Sequence, residues 1–188
     1  MLSDDDHTMV QIQNGRLVYN WRRHEDAEYP RWRMVEPRFQ AELKRFEDFL
    51  DSQGLDQMEP NQWEVTYVNH LIRGREWHDQ SDWPDLLPGL IGDGNRVSSA
   101  DFESHSCHSH FALPNDTGRL HVVLTHGFTG FDNDAQESLF LQLTARGGID
   151  PSKNLDLAAG LALGRTTIVR SFAELTGKKA HEMWEREP

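Results

Sequence analysis

Apolar and polar residues alternate through Val10-Gln11-Ile12-Gln13, break at Asn14-Gly15, and alternate again through Leu17-Val18-Tyr19-Asn20-Trp21. An Asn-Gly turn of two residues, both needing positive φ, pairs Ile12 with Leu17 and Val10 with Tyr19, and Trp21 continues that side. Gln11, Gln13, Arg16 and Asn20 then share the opposite face. A slip of one residue would mix the two faces, so the pattern predicts a β-hairpin in a single register. The preceding residues 1–8, MLSDDDHT, are polar and expected to fray.

Beyond the hairpin the spacing changes. Phe39, Leu43, Phe46 and Leu50 recur at helical intervals, Phe49 widens the stripe, Pro37 suits a first-turn position and Gly54 a terminator. A helix over 35–52 with a core-facing stripe is the prediction. Residues 62–72, QWEVTYVNHLI, alternate once more and predict a strand with Trp63, Val65, Tyr67 and Leu71 on one face, interrupted by Asn69. Residues 102–113 and 119–128 predict a second hairpin around Asn115-Asp116-Thr117-Gly118, and 136–146 a further strand with Leu139, Leu141 and Leu143 on one side. The last prediction is a second helix over roughly 155–176, with Leu161, Ile168, Val169, Phe172 and Leu175 on its apolar side. Gly177 ends it and Trp184 folds back onto the body. Strands in hairpins, with one helix between them and one at the end, imply one α+β domain over 1–188. Its architecture is a mainly antiparallel sheet of about five to six strands with two long helices packed on one face.

The stretch 73–100 has no sustained period. It carries Pro84, Pro88, Trp77, Trp83 and the cluster Leu86, Leu87, Leu90 and Ile91, which is too apolar for a free linker. A connection of this length is either functional or disordered, so these six large apolar residues are the expected partner-binding surface.

Composition sharpens this picture. Among 188 residues the net charge is −12, which argues against nucleic acid as the main ligand because that affinity rests on Lys and Arg at phosphates. One basic, aromatic stretch survives the objection: Trp21, Arg22, Arg23, Arg31, Trp32 and Arg33, where rings between arginines could stack on bases. Glu25, Asp26, Glu28 and Glu36 nearby offer those arginines ordinary ion-pair partners. The single cysteine excludes an internal disulfide and fits a reducing compartment. Neither a basic-then-apolar leader nor a span of membrane length occurs, so the expectation is a cytoplasmic protein.

The densest ionisable cluster is His105, Cys107, His108 and His110, joined across the turn by His121 and His126. If Asn115 pairs with Gly118, Leu113 faces Leu120 and Cys107 faces His126. His105, Cys107 and His126 then gather on one side of the ribbon as a candidate zinc site, three protein ligands and water being the catalytic pattern. No standard zinc spacing, nucleophile elbow, phosphate loop or dinucleotide fingerprint is present. No catalytic residue and no cofactor are therefore assigned.

Val10-Gln11-Ile12-Gln13, Tyr19-Asn20-Trp21, Tyr29-Pro30-Arg31, Phe39…Phe46, Glu64-Val65-Thr66-Tyr67-Val68-Asn69 and Phe172…Thr176…Trp184 together resemble a family of sporadically distributed, uncharacterised prokaryotic proteins. The resemblance runs from Val10 almost to the end. Members usually carry a further strand and helix upstream, so it implies a shortened form or a late start here. It supplies no activity or catalytic residue; a patchy distribution is associated with mobile genes such as antiphage-defence and toxin–antitoxin modules. The expected function is a non-enzymatic partner-binding protein, antitoxin-like or an accessory subunit of a bacterial defence system. Its partner is expected to be a protein of basic character, and self-association is compatible with the sequence. The alternatives are a zinc-dependent enzyme or ligand-binding protein using the His/Cys hairpin, and a nucleic-acid module using segment 21–38.

Overall fold

A computed structural model of the protein describes residues 7–13, 15–23, 28–92, 99–130 and 135–184. The chain divides into two compact units, Met1–Glu59 and Pro60–Pro188.

In the first unit β1 (Thr8–Gln13) and β2 (Arg16–Trp21) form a two-stranded antiparallel sheet with Ile12 opposite Leu17, Val10 opposite Tyr19 and Thr8 opposite Trp21. Gly15 takes φ 75°, as the turn requires; Asn14 lies outside the described residues. On the polar face the Asn20 amide donates to Gln11 Oε1 at 3.1 Å. Helix α1 (Trp32–Ser52) begins one turn earlier than the spacing predicts, which leaves Pro37 inside the helix rather than in its first turn. Trp32 and Val35 share the helical spacing of Phe39 and Leu43, and that continuity outweighs the backbone bond lost at the proline. Gly54 ends the helix at φ 62°. Within the stripe Leu43 is buried, Phe39, Phe46 and Leu50 are half-buried, and Phe49 points out to solvent. Helix α1 packs with β2.

The second unit is built on a four-stranded sheet in the order β3-β6-β5-β4: β3 (Gln62–Ile72), β4 (Ser106–Ala112), β5 (Arg119–Thr129) and β6 (Gln136–Gly148). Every neighbouring pair is antiparallel. Period-2 patterning sends Trp63, Val65, Leu71, Leu139, Leu141, Leu143, Val122 and Leu124 to one face, where all are buried. Helix α3 (Leu157–Leu175), whose N-cap Asp156 side chain accepts from the Ala159 N–H at 2.8 Å, crosses β3 and β6 on that face. Gly160 and Gly164 bring it onto the Trp63 ring, which a Cβ at Gly160 would strike. Helices α2 (Trp83–Leu86) and α4 (Lys178–Met183) lie together, fastened by Gly177 N–H to Leu86 O at 2.9 Å. Trp184 does fold back, its ring 5.4 Å from that of Phe172.

The fold is thus α+β with antiparallel sheets. The expected single sheet of five or six strands is instead two sheets, and the two long helices are divided, α1 packing with β2 and α3 with β3 and β6. Among the described residues no helix is long and apolar enough to cross a membrane.

Candidate functional site

The residues after β3 form the wall of the second unit. Trp77 is 1 % exposed and Trp83 fully buried, their rings meeting edge to face at 5.2 Å, and Leu86, Leu87 and Ile91 are buried with them. Leu90 is half-buried. The expected partner-binding surface is therefore interior. An apolar cluster without periodicity serves a core as well as an interface, and here the Trp77 indole N–H donates to Leu71 O at 2.7 Å, tying the segment to β3.

Against this wall stands His126 from β5, its ring 4.9 Å from that of Trp83 and 6.1 Å from that of Trp77. Its Nε2 lies 2.8 Å from Glu137 Oε1, and its Nδ1 3.2 Å from the Ser104 hydroxyl. A carboxylate only accepts, so Nε2 carries a proton, and in the neutral ring Nδ1 accepts from Ser104. Glu137 Oε2 takes the Arg73 guanidinium at 2.6 Å, and Arg73 in turn donates to His78 O at 2.8 Å and lies over the Trp77 ring. Burial alone would raise the Glu137 carboxyl; the hydrogen bonds from Arg73 and His126 outweigh it and hold the group below its ordinary range. Ser104, His126, Glu137 and Arg73 thus form one hydrogen-bonded line from an exposed hydroxyl to a clamped carboxylate. Chemically this is a nucleophile, base and acid order, with His126 able to take the Ser104 proton and Glu137 to stabilise the imidazolium.

The proposed zinc trio comes out differently. The β4–β5 register sets Cys107 opposite Leu124 and Phe111 opposite Leu120, two residues away from the expected pairing. The connection is longer than the expected turn, with Pro114–Asp116 in a 3-10 turn, Asn115 and Asp116 at positive φ, and Leu113 N–H bonded to Gly118 O. An even offset preserves the faces, so His105, Cys107 and His126 do share one side, yet both nitrogens of His126 are engaged by Ser104 and Glu137. Burial pushes the Cys107 thiol up, which the Leu124 N–H only partly offsets, and a protonated thiol is a poor ligand and nucleophile. Among the described residues no group of three His, Cys, Asp or Glu is arranged to hold a metal.

In the Trp/Arg segment, Trp21 meets Tyr29 edge to face at 5.2 Å, Trp21 and Trp32 are half-buried, and Arg22, Arg23, Arg31 and Arg33 are exposed. The acidic neighbours Glu25 and Asp26 lie outside the described residues.

Opposite the helix-covered face, the four-stranded sheet presents a second surface. Val68 at mid-strand is 52 % exposed, Thr66 and Thr144 share a hydroxyl bond at 2.9 Å, and two aromatic pairs cross strands, His70 with Phe140 at 4.8 Å and His110 with His121 at 4.5 Å. By register, Glu64 contributes this face's carboxylate, opposite Arg146.

Comparison with protein-family models, curated proteins and solved structures finds no match to the chain. Of the histidine centre, sequence reasoning reached only His126. Glu137 and Arg73 join it because β6 pairs with both β3 and β5, a strand order that leaves no local mark in the residues, whereas Ser104 arrives through the β4–β5 hairpin in a register shifted by two from the expected one.

Proposed function

We propose that the protein is a non-enzymatic partner-binding subunit whose docking surface is the open face of the four-stranded sheet. The supporting observation is Val68, a large aliphatic side chain more than half exposed at the middle of a well-formed strand and flanked by Thr66 and the His70–Phe140 pair. Apolar side chains framed by hydroxyls and imidazoles, with Glu64, Arg146 and Arg119 in line across the strands at one end, match a partly apolar protein surface of low net charge. A basic partner, the sequence expectation, would find one carboxylate there, Glu64; the partner's contact surface instead carries little net charge. The resemblance to a sporadically distributed family supports an antitoxin-like or accessory role in a bacterial defence system.

The test compares wild-type chain with Val68→Glu, both tagged, recovered from the native host at low salt. A strand-face substitution at an exposed position leaves the fold intact, which circular dichroism checks. The expected result is one stoichiometric protein retained by wild type and lost from the variant. Recovery of no stoichiometric protein, or equal recovery by both forms, overturns the reading.

A second reading is favoured by the Ser104–His126–Glu137 line: acyl transfer with Ser104 as nucleophile. Its test is labelling of folded protein by a fluorophosphonate. Adduct on Ser104, absent from Ser104→Ala and reduced in Glu137→Gln, supports it; an unlabelled Ser104 removes it.

A further inference from the structure

Strand β4 is an edge, and among the described residues no strand pairs with its outer side. Leu113 N–H bonds Gly118 O at 3.0 Å, and from there the register with β5 runs unbroken from Ala112 opposite Arg119 to Ser106 opposite Thr125. Bonded and non-bonded pairs alternate along an antiparallel ladder. Phe111, Ser109 and Cys107 therefore turn their peptide groups towards β5, while Ser106, His108, His110 and Ala112 point theirs away from the sheet. All four of these residues are exposed.

Folded proteins usually blunt such an edge with a lysine, a proline, a bulge or an inward charge. The sequence of β4, SCHSHFA, contains none of them, and its register with β5 has no bulge. From Ser104 to Asn115 no residue is Asp, Glu, Lys or Arg. In a chain of net charge −12 copies repel one another over most of their surface, and this is a stretch where they can meet without that cost. A basic partner would gain nothing from it.

We infer that two copies of the chain pair antiparallel through β4, joining two four-stranded sheets into one continuous sheet. The inference concerns the strand edge and is independent of the partner assigned to the open face. With Ser109 on the two-fold axis, His108 lies opposite the second copy's His110, and Ser106 opposite its Ala112. All four outward-pointing residues then fall in bonded pairs, supplying about eight main-chain hydrogen bonds. On the helix-covered side Phe111, 46 % exposed in the single chain, comes to lie across from Cys107 of the second copy and is shielded. Side chains, backbone polarity and charge all agree on one register, which is what a self-complementary interface requires.

Sedimentation of untagged full-length protein, at about 100 µM and below, tests this, a range that reveals even a weak dimer. The expected species is a dimer. His108→Pro removes one outward N–H and no bond to β5, so it is expected to keep the circular dichroism spectrum and weaken the dimer about tenfold or more. Ser109→Cys in a Cys107→Ser background is expected to form an intermolecular disulfide under mild oxidation, because the axial pair is a close, non-bonded one. A monomeric wild type overturns the inference. So does a dimer that His108→Pro leaves intact and residue 109 does not cross-link. Val68→Glu, which tests the open face, is expected to leave the dimer unchanged; loss of the dimer in that variant alone would place self-association on the sheet face and overturn the edge pairing.

Discussion

Trp63 is 1 % exposed beneath Gly160 and Gly164 of α3, and the contest at those glycines decides a sign. In a helix interior, replacing glycine by alanine ordinarily gains about 1 kcal/mol. At Gly160 the added methyl meets the indole ring, and overpacking of that kind costs about 1–3 kcal/mol. Gly160→Ala is expected to lower the urea midpoint; a raised midpoint would show that α3 has room to shift. Glu137 makes the second residue-scale prediction. Its folded carboxyl is held below the ordinary 4.5, so the stabilisation is fully present above that value and is lost as pH falls through the lower, folded one. Glu137→Gln is expected to cost about 1–3 kcal/mol at neutral pH and to flatten the acid limb of the stability curve, read by denaturation from pH 7 to 3. An unchanged acid limb would remove the carboxylate from the stability argument. At this scale His126 was legible as a chemically notable residue. Its role was not, because its three partners come from separate stretches of chain.

Elements were read well where one period dominates. The β1–β2 register followed from alternation and Asn-Gly, and β3 was predicted over the residues it occupies, Gln62–Ile72. Helix α1 starts at Trp32 rather than near residue 35, because Trp32 extends the apolar spacing of Val35, Phe39 and Leu43 past the proline. The interior proline has a measurable consequence. Pro37 withholds an N–H from the Arg33 carbonyl inside a helix of 21 residues, so Pro37→Ala is expected to raise helical content and stabilise the first unit by about 1–3 kcal/mol. A destabilised variant in thermal circular dichroism would mean the proline ring is itself packed. The segment after β3 shows the converse failure: Trp77, Trp83 and Leu87 form no pattern along the chain, so only their burial tells core from surface.

For the molecule as a whole, the α+β class and antiparallel pairing were legible, whereas the partition into two units was not. Residues 53–62, QGLDQMEPNQ, are mostly polar and carry Gly54 and Pro60, but so short a stretch reads equally as an ordinary loop between a helix and a strand; Gln53 to Gln57 and Glu59 to Gln62 are exposed. Cleavage on the amino side of Asp56 by an aspartate-specific protease is expected, because Asp56 is exposed between the two units, and it leaves a resistant fragment that contains all four strands of the larger sheet. Simultaneous loss of both halves would argue that they unfold together.

The strand order carries one more consequence, for birth rather than for the finished fold. Strand β3 ends at Ile72, but the neighbour that satisfies its ladder, β6, begins only at Gln136. On the ribosome β3 must wait, unpaired, while some sixty residues are translated, though β4 and β5 can already zip together. The longest-range pairing of the sheet is therefore that of β3 with the late-arriving strand, and until it forms Trp63 and Val65 stay uncovered, within reach of a chaperone.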